Sequence, residues 1–546
     1  MRRNIARFAL IGLLTLSLAL AGCGNTQQTQ STSEQSGKAQ QTEEKNTQNG
    51  LKQLVIGRGG DSVGLDPIAR NDTESFKVTK NIFETLVNYE EENTNVVPAL
   101  AESWDVSADG LTYTFKLRQG VKFHDGTDFN AEAVQFNFYR WMDKDHPLHN
   151  KDGLQFYSGM FSGFKGDKDH VIKSVDVVDP YTVKFSLYRP LAPFIQNLGM
   201  ACFAIASPKA LKEMGPEKFA QNPVGTGPFK FVEWKRNDTI VLEKNQDYWN
   251  KGYPKLDKLV FKVIPENTAR LTALAAGEID LMDGLNPDDT QVVTDNAELQ
   301  LIFRPSMNVG YLGFHVEKGP LKHPKVRQAI AHVINKPALI EAFYGGLGEP
   351  AVNPMPPSLW GWNGNIKDRE YNLEKAKQLL AEAGYPNGFS IQFLAMPVPR
   401  LYMTEGVKIA ESIQQELNKV GIKAEIVTME WAAYLDTIKR GEQEMYLLGW
   451  TGENGDPDNF LNTLLGHGKR TRWENQEFQK ILLQAQSATA KEEREKLYLK
   501  AQEIIFNEVP MIPLAHSTPA LAAKKIVSNF KPHPTGSESL EKVDIQ

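Results

Sequence analysis

The chain has 546 residues, of which 41% are hydrophobic and 10% aromatic, so it is long and apolar enough to fold around more than one hydrophobic core. Its formal net charge is −6, which leaves no excess of basic residues to neutralise phosphates. Nucleic acid is therefore excluded as a partner.

The first 22 residues are predicted to be a signal peptide. Arg2 and Arg3 precede an apolar run from Phe8 to Ala21, which is too short for a transmembrane helix of about 20 residues. The segment Leu20-Ala21-Gly22-Cys23 resembles the lipobox of bacterial lipoproteins, in which the cysteine is lipidated and becomes the new N-terminus. We expect a protein anchored through Cys23 to the outer face of the cytoplasmic membrane; the alternative is a plain secretory signal.

Residues 23–50 are predicted to be a disordered tether, because they are almost wholly polar and cannot bury enough apolar surface to fold. The other cysteine, Cys202, lies in an apolar stretch and is predicted to be a buried small side chain. With Cys23 lipidated, the mature chain cannot form an internal disulfide bond.

After the tether, hydrophobic periodicity predicts a mixture of strands and helices. In chain order these are a strand at 53–57, a helix at 76–87, a strand at 113–117, a helix at 131–142, strands at 181–185 and 259–263, helices at 269–276, 326–334 and 373–383, a strand at 390–394, a helix at 402–420, strands at 424–427 and 445–450, and a helix beginning near residue 460. Asp456 and Asp458 precede this last helix and are interpreted as capping residues rather than metal ligands.

One short motif is typical of an enzyme. Gly60-Asp61-Ser62-Val63-Gly64 fits the G-x-S-x-G pattern of serine hydrolases, but Pro67 follows closely and disfavours the helix that a nucleophile elbow requires. We predict instead a glycine-rich loop in which Ser62 lines a ligand pocket. A secreted hydrolase that uses Ser62 remains the alternative from a different functional class.

The sequence offers no pattern for a metal or cofactor. Its ten histidines are scattered, and it contains neither an HExxH motif nor a Walker phosphate loop. We therefore predict no catalytic residue, no metal site and no cofactor.

Three stretches resemble the bacterial solute-binding proteins of family 5, which are peptide- and nickel-type receptors of ABC importers. The first is Asn222 to Phe229 (NPVGTGPF), followed by Asp247-Tyr248-Trp249. The second is Pro98 to Trp104, followed by two further matching segments up to Gly126. The third is Lys325 to Ile330, and the resemblance extends over residues 51–546.

The resemblance implies an α/β protein of the periplasmic-binding-protein-like fold type II (cluster C). Two lobes are joined by hinge strands and close over the ligand, and an extra domain is inserted in the first lobe. The implied boundaries are lobe I at 51–88, 222–305 and 515–546, inserted domain II at 89–221, and lobe III at 306–514. A monomer is expected, whose partners are the permease of an importer and the ATPase subunits behind it.

Within the family, the segments 395–400 and 449–460 most resemble the dipeptide-binding proteins. The resemblance implies that Arg400 binds the ligand carboxylate and that Glu453, which replaces an aspartate of those proteins, binds the ligand ammonium. Trp431 resembles a tryptophan of the pocket wall. The predicted site is completed by Tyr402, Trp450 and Gly452.

The chemistry of these residue types supports a short peptide. A zwitterionic ligand needs a planar bidentate donor for its carboxylate and an acid for its ammonium, and Arg400 and Glu453 supply both. Receptors of this family also bind longer oligopeptides, nickel complexes, sugars or haem, and these ligands remain alternatives.

Overall fold

The computed structural model describes residues 50–69, 72–150 and 154–546. The predicted signal peptide, the lipidation site Cys23 and nearly all of the tether lie outside the described residues. Within the described part of the chain, no helix combines the length and the apolar character needed to cross a bilayer.

The strands and helices alternate along the chain. The strands are β1 (Gln53–Arg58), β2 (Val87–Tyr89), β3 (Val96–Pro98), β4 (Ala101–Val106), β5 (Thr112–Leu117), β6 (Ile172–Asp179), β7 (Thr182–Leu187), β8 (Phe229–Lys235), β9 (Thr239–Lys244), β10 (Lys258–Val263), β11 (Leu281–Leu285), β12 (Leu299–Phe303), β13 (Asn308–Phe314), β14 (Gly348–Pro350), β15 (Phe389–Leu394), β16 (Ile422–Val427), β17 (Met445–Thr451), β18 (Met511–Ser517), β19 (Ala520–Lys524), β20 (Val527–Ser528) and β21 (Asp544–Ile545). The helices are α1 (Thr73–Ile82), α2 (Ala131–Met142), α3 (Gln155–Met160), α4 (Phe194–Leu198), α5 (Pro208–Phe219), α6 (Asn267–Ala275), α7 (Thr290–Asp295), α8 (Pro324–His332), α9 (Lys336–Tyr344), α10 (Leu373–Glu382), α11 (Gly406–Asn418), α12 (Trp431–Arg440), α13 (Pro457–Leu465), α14 (Gln476–Ser487) and α15 (Lys491–Glu508).

Three sheets of four or more strands organise these elements. A seven-stranded sheet has the order β12-β19-β11-β1-β10-β9-β8 and takes its strands from the segments predicted as lobe I. A six-stranded sheet, β14-β18-β13-β17-β15-β16, lies in predicted lobe III, and the antiparallel sheet β4-β5-β7-β6 lies in predicted domain II. Strand β18 continues to Ser517, past the predicted boundary at residue 514.

The chain passes twice between the two larger sheets, at residues 304–307 and at residues 518–519. The two crossovers are hydrogen bonded to each other, since the Arg304 amide donates to the carbonyl of Pro519 at 2.9 Å. Beside them, the Asn308 side chain donates to the carbonyl of Ser517 at 2.9 Å and accepts from its amide at 3.0 Å. These paired segments occupy the place of the expected hinge.

Separate hydrophobic cores fill the lobes. One cluster of buried residues, from Met307 to Ala515, belongs to the six-stranded sheet and its helices, and another, from Ile68 to Ile205, belongs mainly to domain II. Lobe I and domain II are joined by a buried ion pair, because both Arg140 Nη atoms contact the Asp66 carboxylate at 2.8 and 3.2 Å. Cys202 is 1% exposed, as its apolar neighbours predict.

Two predicted helices are wrong in their limits. The helix expected over 76–87 ends at Ile82, because the Ile82 carbonyl accepts from the amide of Gly227 and the chain then becomes extended at Phe83. The helix expected over 402–420 begins only at Gly406. The other predicted strands and helices are confirmed, including the cap of α13, where Asp456 accepts from the amide of Asp458.

Candidate functional site

A cavity of about 620 Å³ lies where lobe I, domain II and the loop after β17 meet. This volume is typical of small-molecule binding sites, which span roughly 300–1,000 Å³. Its wall includes α1, the β2 region, residues 199–202 of domain II, Thr451 and Glu453 of lobe III, and C-terminal residues between 529 and 542. The cavity is therefore an interlobe space of the size that a peptide of a few residues requires.

Glu453 extends from lobe III into this cavity. Its amide donates to the Asn459 side chain at 3.1 Å, which holds the loop, but its half-buried carboxylate has no hydrogen-bond or ion-pair partner among the described residues. Burial raises the pKa of Glu453 to about 8. Across the cavity, burial and then the nearby Glu453 carboxylate raise the pKa of the Cys202 thiol. The arrangement suits an acceptor for a cationic group of a ligand.

Arg400 lies on an exposed turn of lobe III. Its Nη1 donates to the carbonyl of Pro399 at 3.0 Å, and its guanidinium lies 5.1 Å from the ring centre of Trp431. Trp431 in turn stacks on Tyr434, with 5.7 Å between ring centres. No carboxylate pairs with Arg400 in the described part of the chain, so its guanidinium is available to an anion. Arg400 is not among the residues that line the cavity with Glu453.

Tyr402 lies close against the sheet because two glycines leave room for it. Gly310 and Gly449 are register partners in β13 and β17, and a Cβ atom would lie 2.2 Å from the Tyr402 carbonyl oxygen at Gly310 and 2.0 Å from its ring at Gly449. The hydroxyl of Tyr344 donates to the same carbonyl at 3.0 Å. Burial raises the pKa of Tyr402 to about 12, and the neighbouring Arg400 opposes that rise. Tyr402 thus fixes the turn that carries Arg400.

Both loops that carry predicted ligand residues are bonded to the crossover region. The hydroxyl of Ser517, at the end of β18, donates to the carbonyl of Leu401 at 2.5 Å. The amide of Gly452 donates to the carbonyl of Met307, in the first crossover, at 2.7 Å. Hydrogen bonds therefore attach both loops to the crossover region.

Gly452 and Trp450 have supporting positions. A Cβ atom on Gly452 would lie 2.4 Å from the Phe460 ring, so only glycine fits beside α13. The indole nitrogen of Trp450 donates to the Asn459 side chain at 3.1 Å, the same oxygen that accepts from Glu453. These contacts shape the loop that positions Glu453.

Ser62 lies elsewhere and does not line the cavity, in contrast to its predicted place in the ligand pocket. Its side chain is 3% exposed, accepts from Arg58 at 2.9 Å and donates to the carbonyl of Glu74 at 3.2 Å. Histidine is absent from its hydrogen-bond partners within the described residues. The buried Arg58 guanidinium uses the hydroxyl as a partner, which explains why this serine is directed inward.

The structure adds polar cavity residues that sequence reasoning missed. The Glu84 carboxylate accepts from the hydroxyls of Thr226 and Tyr248 at 2.8 and 2.9 Å and from the Trp249 indole at 2.9 and 3.1 Å. Thr226, Tyr248 and Trp249 belong to the NPVGTGPF and DYW segments, so these motifs were a usable signal. No sequence motif pointed to Glu84 itself, because the predicted helix over 76–87 included this residue.

Comparisons with known proteins agree with this architecture. Residues 95–472 match the family described as bacterial extracellular solute-binding proteins, family 5 middle. The chain is 39% identical to the Heme-binding protein A of Haemophilus influenzae, covering 98% of this chain and 99% of that protein, and 37% identical to the Dipeptide-binding protein of Escherichia coli K12, covering 91% and 95%. The solved structure of the periplasmic binding protein DppA from Helicobacter pylori, in complex with the peptide STSA, is similar with a TM-score of 0.78, 37% identity and coverage of 90% and 98%.

Proposed function

Because the chain belongs to the bacterial extracellular solute-binding proteins of family 5, we propose that it captures a dipeptide or another short peptide and delivers it to the permease of an ABC importer. Proteins of this family are transport receptors rather than enzymes, and they act outside the cytoplasm. The fold is the two-lobed α/β fold of periplasmic binding proteins.

The observation that carries this proposal is that two loops of lobe III each present an ionisable group, the Arg400 guanidinium and the Glu453 carboxyl group, with no ion-pair partner in the described part of the chain. Arg400 offers a guanidinium to the peptide carboxylate, and Glu453 offers a carboxylate to the peptide ammonium. Two unit charges about 4 Å apart attract by roughly 1 kcal/mol in water and by roughly 4 kcal/mol at an effective dielectric of 20. Removal of water on lobe closure therefore makes both contacts strong enough to select a zwitterion.

Relatives that are named for peptides support this assignment. The E. coli relative is named a dipeptide-binding protein, and a dipeptide-binding protein from Pseudoalteromonas was solved with Met-Leu. The H. influenzae relative is named for haem. Haem is less favoured here, since cavity residue His533 uses both ring nitrogens in contacts with Thr535 and Asn93.

The proposal includes the membrane location. Lipidation of Cys23 would hold a monomeric receptor at the outer face of the cytoplasmic membrane, with residues 24–50 as the tether. The support for this is the signal sequence and the Leu-Ala-Gly-Cys segment. Stable anchoring requires more than one acyl chain, which a diacylated cysteine provides.

The test measures binding of Ala-Ala and its end-blocked derivatives by isothermal titration calorimetry. Arg400→Ala should weaken binding of free Ala-Ala by about 3–5 kcal/mol if the ion pair is buried. C-terminal amidation should weaken binding to the wild type and change little in the Arg400→Ala variant, because both changes remove the same contact. Glu453→Gln with N-acetylated Ala-Ala is the mirror experiment.

Arg440→Ala is the matched control, since Arg440 is an exposed arginine of the same lobe that pairs with Glu442. It should bind Ala-Ala as the wild type does. If amidation and Arg400→Ala weaken binding independently and additively, Arg400 does not contact the carboxylate and the proposal is refuted.

A further inference from the structure

The wall of the cavity is strongly acidic. Among the described residues that line it, seven glutamates face three lysines. Part of this charge is neutralised locally: Lys531 pairs with Glu91 and Glu92 at 3.5 and 3.1 Å, and Lys542 pairs with Glu91. Glu538 pairs with Arg304. A ligand that enters the cavity therefore meets a field that favours positive charge.

At the end of the cavity formed by lobe I, three ionisable groups remain without an ion pair in the described part of the chain. Glu84 and Glu541 supply two carboxylates, and Lys80 supplies one ammonium, which donates to the Asn88 side chain at 2.6 Å. If both acids are ionised, this end of the cavity lacks one positive charge.

The contacts of the Tyr248 hydroxyl indicate that a proton can supply that charge. Its hydroxyl lies 2.9 Å from a carboxylate oxygen of Glu84 and 2.9 Å from one of Glu541. A phenol has one proton to donate, so Tyr248 can make a full hydrogen bond to only one of the two acids, and a proton on the other acid would complete the second contact. Consistent with this, burial raises the pKa of Glu84 to about 7 and also raises the pKa of Glu541.

The groups around these acids do not supply the missing charge. Lys542, whose ammonium opposes the rise that burial causes in the pKa of Glu541, already pairs with Glu91. Burial lowers the pKa of Lys80 to about 8, against the opposing effect of Glu84 and Glu541. Burial likewise lowers the pKa of His533 to about 3, so His533 is neutral. Arg118 lies 4.1 Å from the Trp249 ring centre but pairs with Glu102 at 3.4 Å.

We propose that Glu84, Tyr248, Trp249 and Glu541, here termed the Glu84 subsite, bind a cationic side chain of the peptide, the ammonium of lysine or the guanidinium of arginine. This inference rests on the proposed peptide-binding function and specifies its ligand class. The ligand cation replaces the proton held by the two acids, so that two carboxylates then face two cations. The peptide ammonium at Glu453, in the same cavity, is a separate contact.

The test compares Ala-Lys with Ala-norleucine, a peptide of similar length and shape without the side-chain ammonium, by calorimetry on the purified full-length protein at pH 7. A charge-assisted hydrogen bond predicts that Ala-Lys binds about 10- to 100-fold more tightly. Titration in two buffers of different ionisation enthalpy should show that Ala-Lys releases more protons than Ala-norleucine. Any proton released from Glu453 is common to both peptides and cancels in this comparison.

Glu84→Gln should reduce the preference for Ala-Lys at least 10-fold, whereas Glu495→Gln, an exposed glutamate of α15, should not. The wild-type comparison requires no variant and stands even if Glu84→Gln fails to fold. If both peptides bind the wild type with equal affinity and equal proton release, the Glu84 subsite is refuted while the peptide-binding function stands. If neither peptide binds, the proposed function itself fails, and the inference with it.

Discussion

Glu453→Gln should stabilise the ligand-free protein at neutral pH while it removes peptide affinity. The Glu453 carboxylate is half-buried without a partner in the described part of the chain, and burial raises its pKa from 4.5 to about 8. The folded protein thus keeps a proton that the unfolded chain releases, so the stability contributed by this group falls as the pH rises from about 4.5 to about 8. At about 1.36 kcal/mol per pH unit, the loss at pH 7 reaches roughly 3 kcal/mol.

The assay is thermal denaturation of the wild type and of Glu453→Gln at pH 5 and pH 8, without peptide. The midpoint of the variant should exceed that of the wild type at pH 8, and the difference should shrink at pH 5, where Glu453 is protonated in the folded state. Because the other titrating groups are the same in both proteins, their effects cancel in the difference between the two denaturation midpoints. A variant that is less stable than the wild type at pH 8 would mean that the carboxylate has a stabilising partner, and the reasoning would be refuted.

Three further outcomes are expected. Cys23→Ala should leave a folded protein that no longer fractionates with membranes, and firm membrane association of this variant would contradict the lipid anchor. Gly310→Ala should displace Tyr402 by overpacking, cost about 1–3 kcal/mol of stability and weaken Ala-Ala binding in calorimetry; unchanged affinity would separate this turn from the ligand. Asp66→Ala should leave Arg140 buried and uncompensated and lower the free energy of unfolding by about 3–5 kcal/mol, measured by urea denaturation.

Most of the local structure could be predicted from periodicity and turn residues, because burial of one face sets the spacing of apolar residues. The two errors in helix limits occur where a distant contact decides. Helix α1 ends because the Ile82 carbonyl bonds to Gly227, and the turn before α11 persists because Tyr402 fits over Gly310 and Gly449. Neither contact can be read from neighbouring residues.

The candidate site was predictable only where one segment carried a recognisable pattern. Arg400 and Glu453 lie in such segments. The Glu84 subsite combines residues 84, 248, 249 and 541, which are brought together by the seven-stranded sheet and the C-terminal segment. The DYW segment points to residues 248 and 249, but no spacing along the chain connects them to Glu84 and Glu541, so the assembly of this half of the cavity required the structure.

The attachment of both ligand loops to lobe III has a consequence for selectivity. Arg400 and Glu453 belong to the same lobe. The Arg400 loop is hydrogen bonded to Ser517 at the end of β18, and the Glu453 loop is hydrogen bonded to Met307, directly before β13. Strand β13 pairs in turn with β17, the strand from which the Glu453 loop extends. Under the proposed function, the separation between the two terminal contacts is set within one lobe, before the lobes close. Peptide length would then be discriminated in the open receptor, and closure would add affinity without altering which lengths are accepted.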